Sequence, residues 1–249
     1  MGRMTEIKTS PVTKTFKWKN QKVGKDPITK KPIVLSETGW AYYDKDADNG
    51  LNNGKTGANV FIEMPFEFQW LESATSFSGW NSAKEKSVYS TEVLDLKNDI
   101  MTVKCGEDVI AKGLYNQVKD KVKLEGGKYC QAVYGLMNGE VVRFLMTGSS
   151  RDSWFTIAKS NAKLKDSFVV CYDTNEIPIK TGGSYEEPVY KFLACSKQQM
   201  QEADNAYNEL IEPYFTYMLA PKAKVVVDKE EDTEDLVPAG EEEDNDGEY

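Results

Sequence analysis

Between residues 80 and 154 the chain repeatedly sets a basic side chain close to a large ring. Trp80 is followed by Lys84, Lys86 and Tyr89, and Lys104 and Lys112 by Tyr115. Lys128 directly precedes Tyr129, and Arg143 and Arg151 lead to Trp154. Two chemistries match that pairing. An ammonium or guanidinium group binds phosphate oxygens, and an indole or phenol ring offers a face on which any nucleobase can stack. Each residue taken alone is more often packing or a solvated charge. Together they make a candidate surface for a polyanion with flat bases, single-stranded nucleic acid above all.

Catalytic chemistry has little to work with. The chain contains no histidine, which removes Ser-His-Asp and Cys-His catalysis and imidazole metal ligands. Acidic residues before position 228 are scattered and follow no two-metal spacing. Asp44, Asp46 and Asp48 alternate as in a calcium loop, but Asn49 stands where the loop needs glycine and Lys55 where it needs a bidentate glutamate. Cys105, Cys130, Cys171 and Cys195 form no C-x-x-C pair, so free thiols in a reducing compartment are expected and a zinc site is not. The expectation is a binding protein, not an enzyme, with no cofactor and no metal.

Charge divides the chain. It holds 31 Lys and Arg against 40 Asp and Glu. Twelve of those acids and one of those bases, Lys229, fall in residues 228–249, so the rest carries thirty bases against twenty-eight acids. The acidic segment, with Glu241, Glu242, Glu243, Asp244, Asp246, Glu248 and the terminal Tyr249, repels itself and buries almost nothing, and is expected to be disordered. It is either a solubilising tail or a built-in mimic of a polyanion, competing for a basic groove. Residues 1–35 lean the other way, with nine basic side chains against Glu6 and Asp26, and carry Phe16 and Trp18 among the lysines. They suit phosphate contact with stacking, or a leader docked by its two rings.

Hydropathy patterns position these groups. Residues 38–57 are rich in Gly, Asn and Asp and read as a loop or hairpin apex. Residues 60–70 alternate, with Val60, Ile62, Met64, Phe66, Phe68 and Trp70 on one face, which predicts a half-buried strand with Pro65 marking an edge or bulge. Residues 73–93 read as a polar loop carrying Trp80 and Tyr89. Strands are predicted over 100–105 and 108–115 around Gly106, then a short helix over 116–123. A hairpin over 128–137 and 140–147 turns at Asn138-Gly139. A helix through Trp154 starts at Ser149 or Ser150, and strands follow over 166–172 and 188–195. An amphipathic helix capped by Ser196 carries Met200, Ala203, Tyr207, Leu210, Ile211 and Tyr214 on one side, with Pro213 ending or kinking it.

Three strands, a short helix and two more strands is the element order of the OB-fold, a five-stranded barrel that binds oligonucleotides. The expected architecture is mainly β with flanking helices. It comprises an OB-fold-like five-stranded barrel plus extra strands, a C-terminal amphipathic helix and a disordered acidic tail. Its divisions are a basic arm and loop region over 1–57, a core domain over 58–219, and a linker with acidic tail over 220–249. No apolar run is long enough to span a membrane, and the N-terminus lacks the apolar core of a signal peptide, so an intracellular location is expected.

The segment over residues 60–160 resembles the single-stranded DNA-binding proteins of tailed bacteriophages, the crAss-like group especially. The motifs that carry the likeness are Pro65-Phe66-Glu67-Phe68, Tyr89-Ser90-Thr91-Glu92-Val93 and Lys128-Tyr129. An acidic segment closed by an aromatic residue also resembles the tails of replicative single-strand binders, with Tyr249 where Phe is commoner. The resemblance implies a protein of phage replication or recombination in the cytoplasm of a host bacterium. It further implies single-stranded DNA as the ligand, a tail that shields the groove and recruits replication or recombination proteins, and scope for self-association. The rival expectation is a phage structural or DNA-packaging-associated interaction protein without single-strand specificity.

Overall fold

A computed structural model describes residues 9–20, 22–25, 30, 32–48, 56–160, 164–180 and 183–220. The acidic tail over 221–249, including Glu241, Glu242, Glu243, Asp244, Asp246, Glu248 and Tyr249, lies outside the described residues. The fold is mainly β with a C-terminal helical segment. Its strands are β1 (Lys14–Lys19), β2 (Lys22–Lys25), β3 (Pro32–Ser36), β4 (Gly39–Asp48), β5 (Thr56–Phe61), β6 (Phe66–Asn81) and β7 (Lys86–Ser90). Then come β8 (Met101–Cys105), β9 (Asp108–Gly113), helix α1 (Tyr115–Leu124), β10 (Gly127–Met137), β11 (Glu140–Met146) and helix α2 (Ser149–Ser160). The long hairpin of β12 (Ser167–Pro178) and β13 (Ser184–Ala194) precedes α3 (Lys197–Ala206), a π-turn (Tyr207–Ile211) and α4 (Glu212–Leu219).

One open sheet runs in the order β5-β4-β1-β11-β10-β6-β7-β8-β9, with β2 and β3 forming a separate pair. It branches at β6, whose first half pairs with β12 and whose last residues pair with β7, while β10 lines its other edge. Sixteen residues at about 3.3 Å each make β6 roughly 50 Å long, and every layer leans on it. The expected strand over 60–70 is interrupted: β5 ends at Phe61 and β6 starts at Phe66, with a cis Met64–Pro65 bond between them. The polar stretch expected to be a loop is instead the second half of β6 and all of β7. Its small residues have packing reasons. A Cβ on Gly79 would lie 2.1 Å from the Gly126 carbonyl oxygen.

The arm follows the docked alternative, with Phe16 and Trp18 both packed on the core. β1 joins the sheet in parallel with β11 and antiparallel with β4. Phe16 is buried and stacks on Phe144, with ring centroids 5.2 Å apart. The Gly, Asn and Asp-rich region supplies β4 and β5, with the intervening apex outside the described residues. Barrel closure would require β9 to return to the late hairpin. In the open sheet the described neighbours of β11 are β10 and β1, and β9 sits at the end.

Alternate residues of β10 divide the two faces. Val133 belongs to a cluster with Phe66, Phe68, Phe144, Trp154, Val169 and Tyr190, covered by α2 and the β12–β13 hairpin. Its neighbours Ala132 and Tyr134 point the other way, against Ala203, Ile211, Tyr214 and Phe215 of the C-terminal helices. Ala74 and Ala132 are paired across strands at the centre of that contact, where small side chains let the helix approach. Helix α1 covers a third cluster of Phe77, Val88, Val103 and Cys105 with its own Val118 and Val122. Ser196 caps α3 as expected, its hydroxyl accepting from the Gln199 amide. Pro213 lies at the start of α4, where the preceding π-turn absorbs the lost amide donor.

Candidate nucleic-acid interface

The sheet face that carries α3 and α4 is open on both sides of those helices. On the β7–β9 side, cross-strand register lines up Lys128, Ser78, Tyr89, Lys104 and Val109 in one row. Directly opposed residues point to the same face, so this row presents two lysines with a ring between them. Four strand intervals connect its ends, and Lys128 and Lys104 are separated by three, roughly 14 Å. Trp80 lies two residues beyond Ser78 on β6 and therefore shares the face, opposite Ser87. Lys112 shares it through its pairing with Thr102, itself two residues from Lys104.

Exposure separates these rings from core rings. Trp80 is 55% exposed and Tyr89 41%, far more than their apolar surface favours. The Tyr89 hydroxyl donates to the Gly106 carbonyl at 3.0 Å. That bond anchors the far end of the ring over the β8–β9 turn and lowers the entropy lost if a base stacks on it.

A second group surrounds a cleft of about 420 Å³ between α1, the start of β10 and the start of α2. Tyr115 stacks on Phe77 at 5.6 Å with the planes 6° apart and meets Tyr129 edge-on at 5.8 Å. The Arg151 guanidinium lies 5.6 Å from the Tyr129 ring centroid. Lys119, Lys123, Lys128 and Arg151 line the cleft with one carboxylate, Asp120, while Arg151 is also paired with Asp152 at 2.7 Å outside the lining. Pairing of β10 with β11 begins at Gln131, so Lys128 sits where β10 has lost that neighbour, at the junction between cleft and open face.

Comparisons with protein-family models, curated proteins and solved structures return no match. The interface is therefore read from its own geometry.

Of the twelve sequence candidates, Trp80, Tyr89, Lys104, Lys112 and Lys128 share the open face, and Tyr115, Tyr129 and Arg151 gather with Lys128 at the cleft. Four are engaged elsewhere. Trp154 is 2% exposed and packs edge-on against Tyr190 at 6.0 Å, a core ring and not a stacking platform. Arg143 is held by Glu92 at 2.7 Å and by the Thr15 hydroxyl at 3.1 Å, so its charge is neutralised within the fold. Lys84 pairs with Glu125 at 2.7 Å and Lys86 with Asp108 at 3.1 Å. The hydrogen bond that Lys84 donates to Glu125 raises the Lys84 pKa, and the same bond holds the Glu125 carboxyl below its ordinary range. The Lys86–Asp108 pair is solvent-exposed and weak, whereas Glu125 is half-buried and also accepts from Asn81.

Lys119 and Lys123 were not among those candidates. Their signal lay in the sequence: they stand four apart on a helix whose Val118 and Val122, also four apart, are buried. Among the described residues no group of three or more His, Cys, Asp or Glu is arranged to hold a metal ion, and no helix is long and apolar enough to cross a membrane.

Proposed function

We propose that this chain binds single-stranded nucleic acid on the open face of its sheet. The observation that carries the reading is the row in which Tyr89 stands between Lys104 and Lys128, with the exposed Trp80 beside it. Phosphates meet the lysines and bases stack on the two rings. An open sheet face suits an extended polymer better than a small ligand, and rings on which any base can stack predict weak sequence preference. The aromatic cleft around Tyr115 and Tyr129 continues the path past Lys128. In this reading the chain is a phage replication or recombination protein, as its motifs resemble. The acidic segment over 228–249 is then a tethered competitor for the lysines and a hook for replication or recombination proteins. A tethered anion has a high local concentration, so it suppresses weak ligands more than tight ones.

The test is titration of labelled oligo-dT and of a matched duplex over a series of salt concentrations. Expected are preference for the single strand, quenching of tryptophan fluorescence, and a log–log salt slope of about −0.7 per phosphate contacted. Removing residues 228–249 should tighten binding most at low salt, where screening is weakest. Absence of oligo-dT binding by both the full chain and the shortened one would end this reading.

A further inference from the structure

The same sheet face continues on the far side of α3 and α4, and there it forms another groove, of about 450 Å³, over β1, β4 and β11. Register fixes its orientation. Lys17 pairs with Leu145, which pairs with Ala132 under the C-terminal helices, so Lys17 points to the face that carries Lys128 and Tyr89. Lys17 also pairs with Ala41, and Tyr43 lies two residues along β4, on that face too.

Tyr43 is 63% exposed, more than any other aromatic side chain among the described residues. Its ring has a seat. Gly57 on β5 has φ +105°, and a Cβ there would lie 2.1 Å from the Tyr43 hydroxyl oxygen, so the phenol crosses β5 where only glycine leaves room. Lys14 lies 5.5 Å above the neighbouring Tyr42 ring. Lys17 is exposed and makes no ion pair among the described residues. Among the described residues no carboxylate lines this groove, and Glu140 touches its end through Thr13 and Lys14. Lys14 pairs with Glu140 at 3.7 Å, so the free charge at this groove is that of Lys17, and an immobilised, water-exposed ring beside it repeats the chemistry of Tyr89 with Lys104.

We infer that this groove is a second station for single-stranded polynucleotide, so that one protein holds two strand segments on one sheet face, divided by the ridge of α3 and α4. Five strand intervals and four residues along β10 separate Lys17 from Lys104, roughly 25–30 Å on a flat sheet. The inference rests on the single-strand reading of the Trp80–Tyr89 face, but uses different residues.

Two short oligo-dT probes, one carrying a donor dye and one an acceptor, test it with the full chain. Each should be short enough for one station, about 8 nucleotides. Expected are two probes bound per chain and energy transfer between them. Lys17→Glu with Tyr43→Ala, both at exposed positions, should reduce this to one probe and abolish transfer, while leaving the melting temperature and the Trp80 quench unchanged. Trp80→Ala with Lys104→Glu should likewise leave one probe but remove the quench. One probe per chain in the unaltered protein, or transfer that survives Lys17→Glu with Tyr43→Ala, would overturn the second station. With the Trp80 quench intact, either result leaves the first standing.

Discussion

Arg143 donates from Nη1 to Glu92 Oε1 at 2.7 Å, joining β11 to the segment that follows β7. Tyr134 donates its hydroxyl to the other Glu92 oxygen, and Arg143 Nη2 reaches the Thr15 hydroxyl on β1. Burial pushes the Tyr134 phenol well above its ordinary pKa, so it stays a donor. Glu92 is itself buried, and these contacts are what make a carboxylate tolerable there.

Arg143→Met should therefore act on stability, not on affinity. It leaves Glu92 buried without its cation, at a cost of about 3 kcal/mol. Tyr134→Phe removes one bond to the same carboxylate and should cost about 1–3 kcal/mol. Urea unfolding reads both. A large loss of oligo-dT affinity in Arg143→Met at unchanged stability would mean the guanidinium faces ligand after all.

The tryptophans separate packing from binding. Trp80→Phe should remove most of the fluorescence quenching by oligo-dT with little change in melting temperature. Trp154→Ala should leave a large void beside Phe68 and Tyr190 and cost about 3–5 kcal/mol. Quenching that persists undiminished in Trp80→Phe would move the stacking site elsewhere.

The Lys84–Glu125 pair predicts a pH response at the β6–β7 turn. The Glu125 carboxyl is held below its usual range by hydrogen bonds from Lys84 and Asn81. A depressed acid contributes stability above its unfolded pKa of about 4.3 and loses it as pH falls through the folded value. As pH falls below the unfolded value and through the lower folded one, the turn should detach from the end of α1, read as loss of amide protection at Lys84 and Asn81. Glu125→Gln should release Lys84 at neutral pH and steepen the oligo-dT salt slope by up to about 0.7, one phosphate. A slope that becomes shallower would contradict this.

Thiol chemistry should single out one residue. Burial pushes the Cys130 thiol up to about 11 and the Cys171 thiol to about 12, so almost no thiolate exists there at pH 8, and Cys105 is buried as well. Cys195, only partly covered beside Gln69, is the accessible one. A chromogenic disulfide reagent should titrate one thiol in the native protein and four after unfolding, and Cys195→Ser should eliminate the native reaction. Two or more fast thiols in the native state would show that the β12 or β10 core opens readily.

Local signals were legible wherever neighbours in sequence make the contact. Asn138 and Gly139 both adopt positive φ, 52° and 79°, the turn their residue types demand. Gln199 and Ser196 bond reciprocally across three residues. Residues 73–81 and 86–90 were illegible as strand for a different reason. Ser76 and Ala74 are small because Cys130 and Ala132 oppose them beneath packed helices, and small side chains mask the alternation that large ones would display. The basic arm was legible as a candidate for phosphate contact, but the strand it forms was not. Its lysines belong to a strand whose partner, β11, lies more than 120 residues away, and no local pattern announces that pairing.

Composition alone determined the chemistry available to this protein: ammonium groups and flat rings, no imidazole, and a block of carboxylates at one end. Only the tertiary structure decided which of those groups meet water together. Trp80 and Trp154 are the same side chain in segments of similar polarity, yet one stands in solvent and the other fills the core. Pleat parity and cross-strand register set that outcome, because shifting a strand by one residue exchanges its two faces. Register is decided by partners far away in the chain, which is why a ring's type could be read from the sequence and its direction could not.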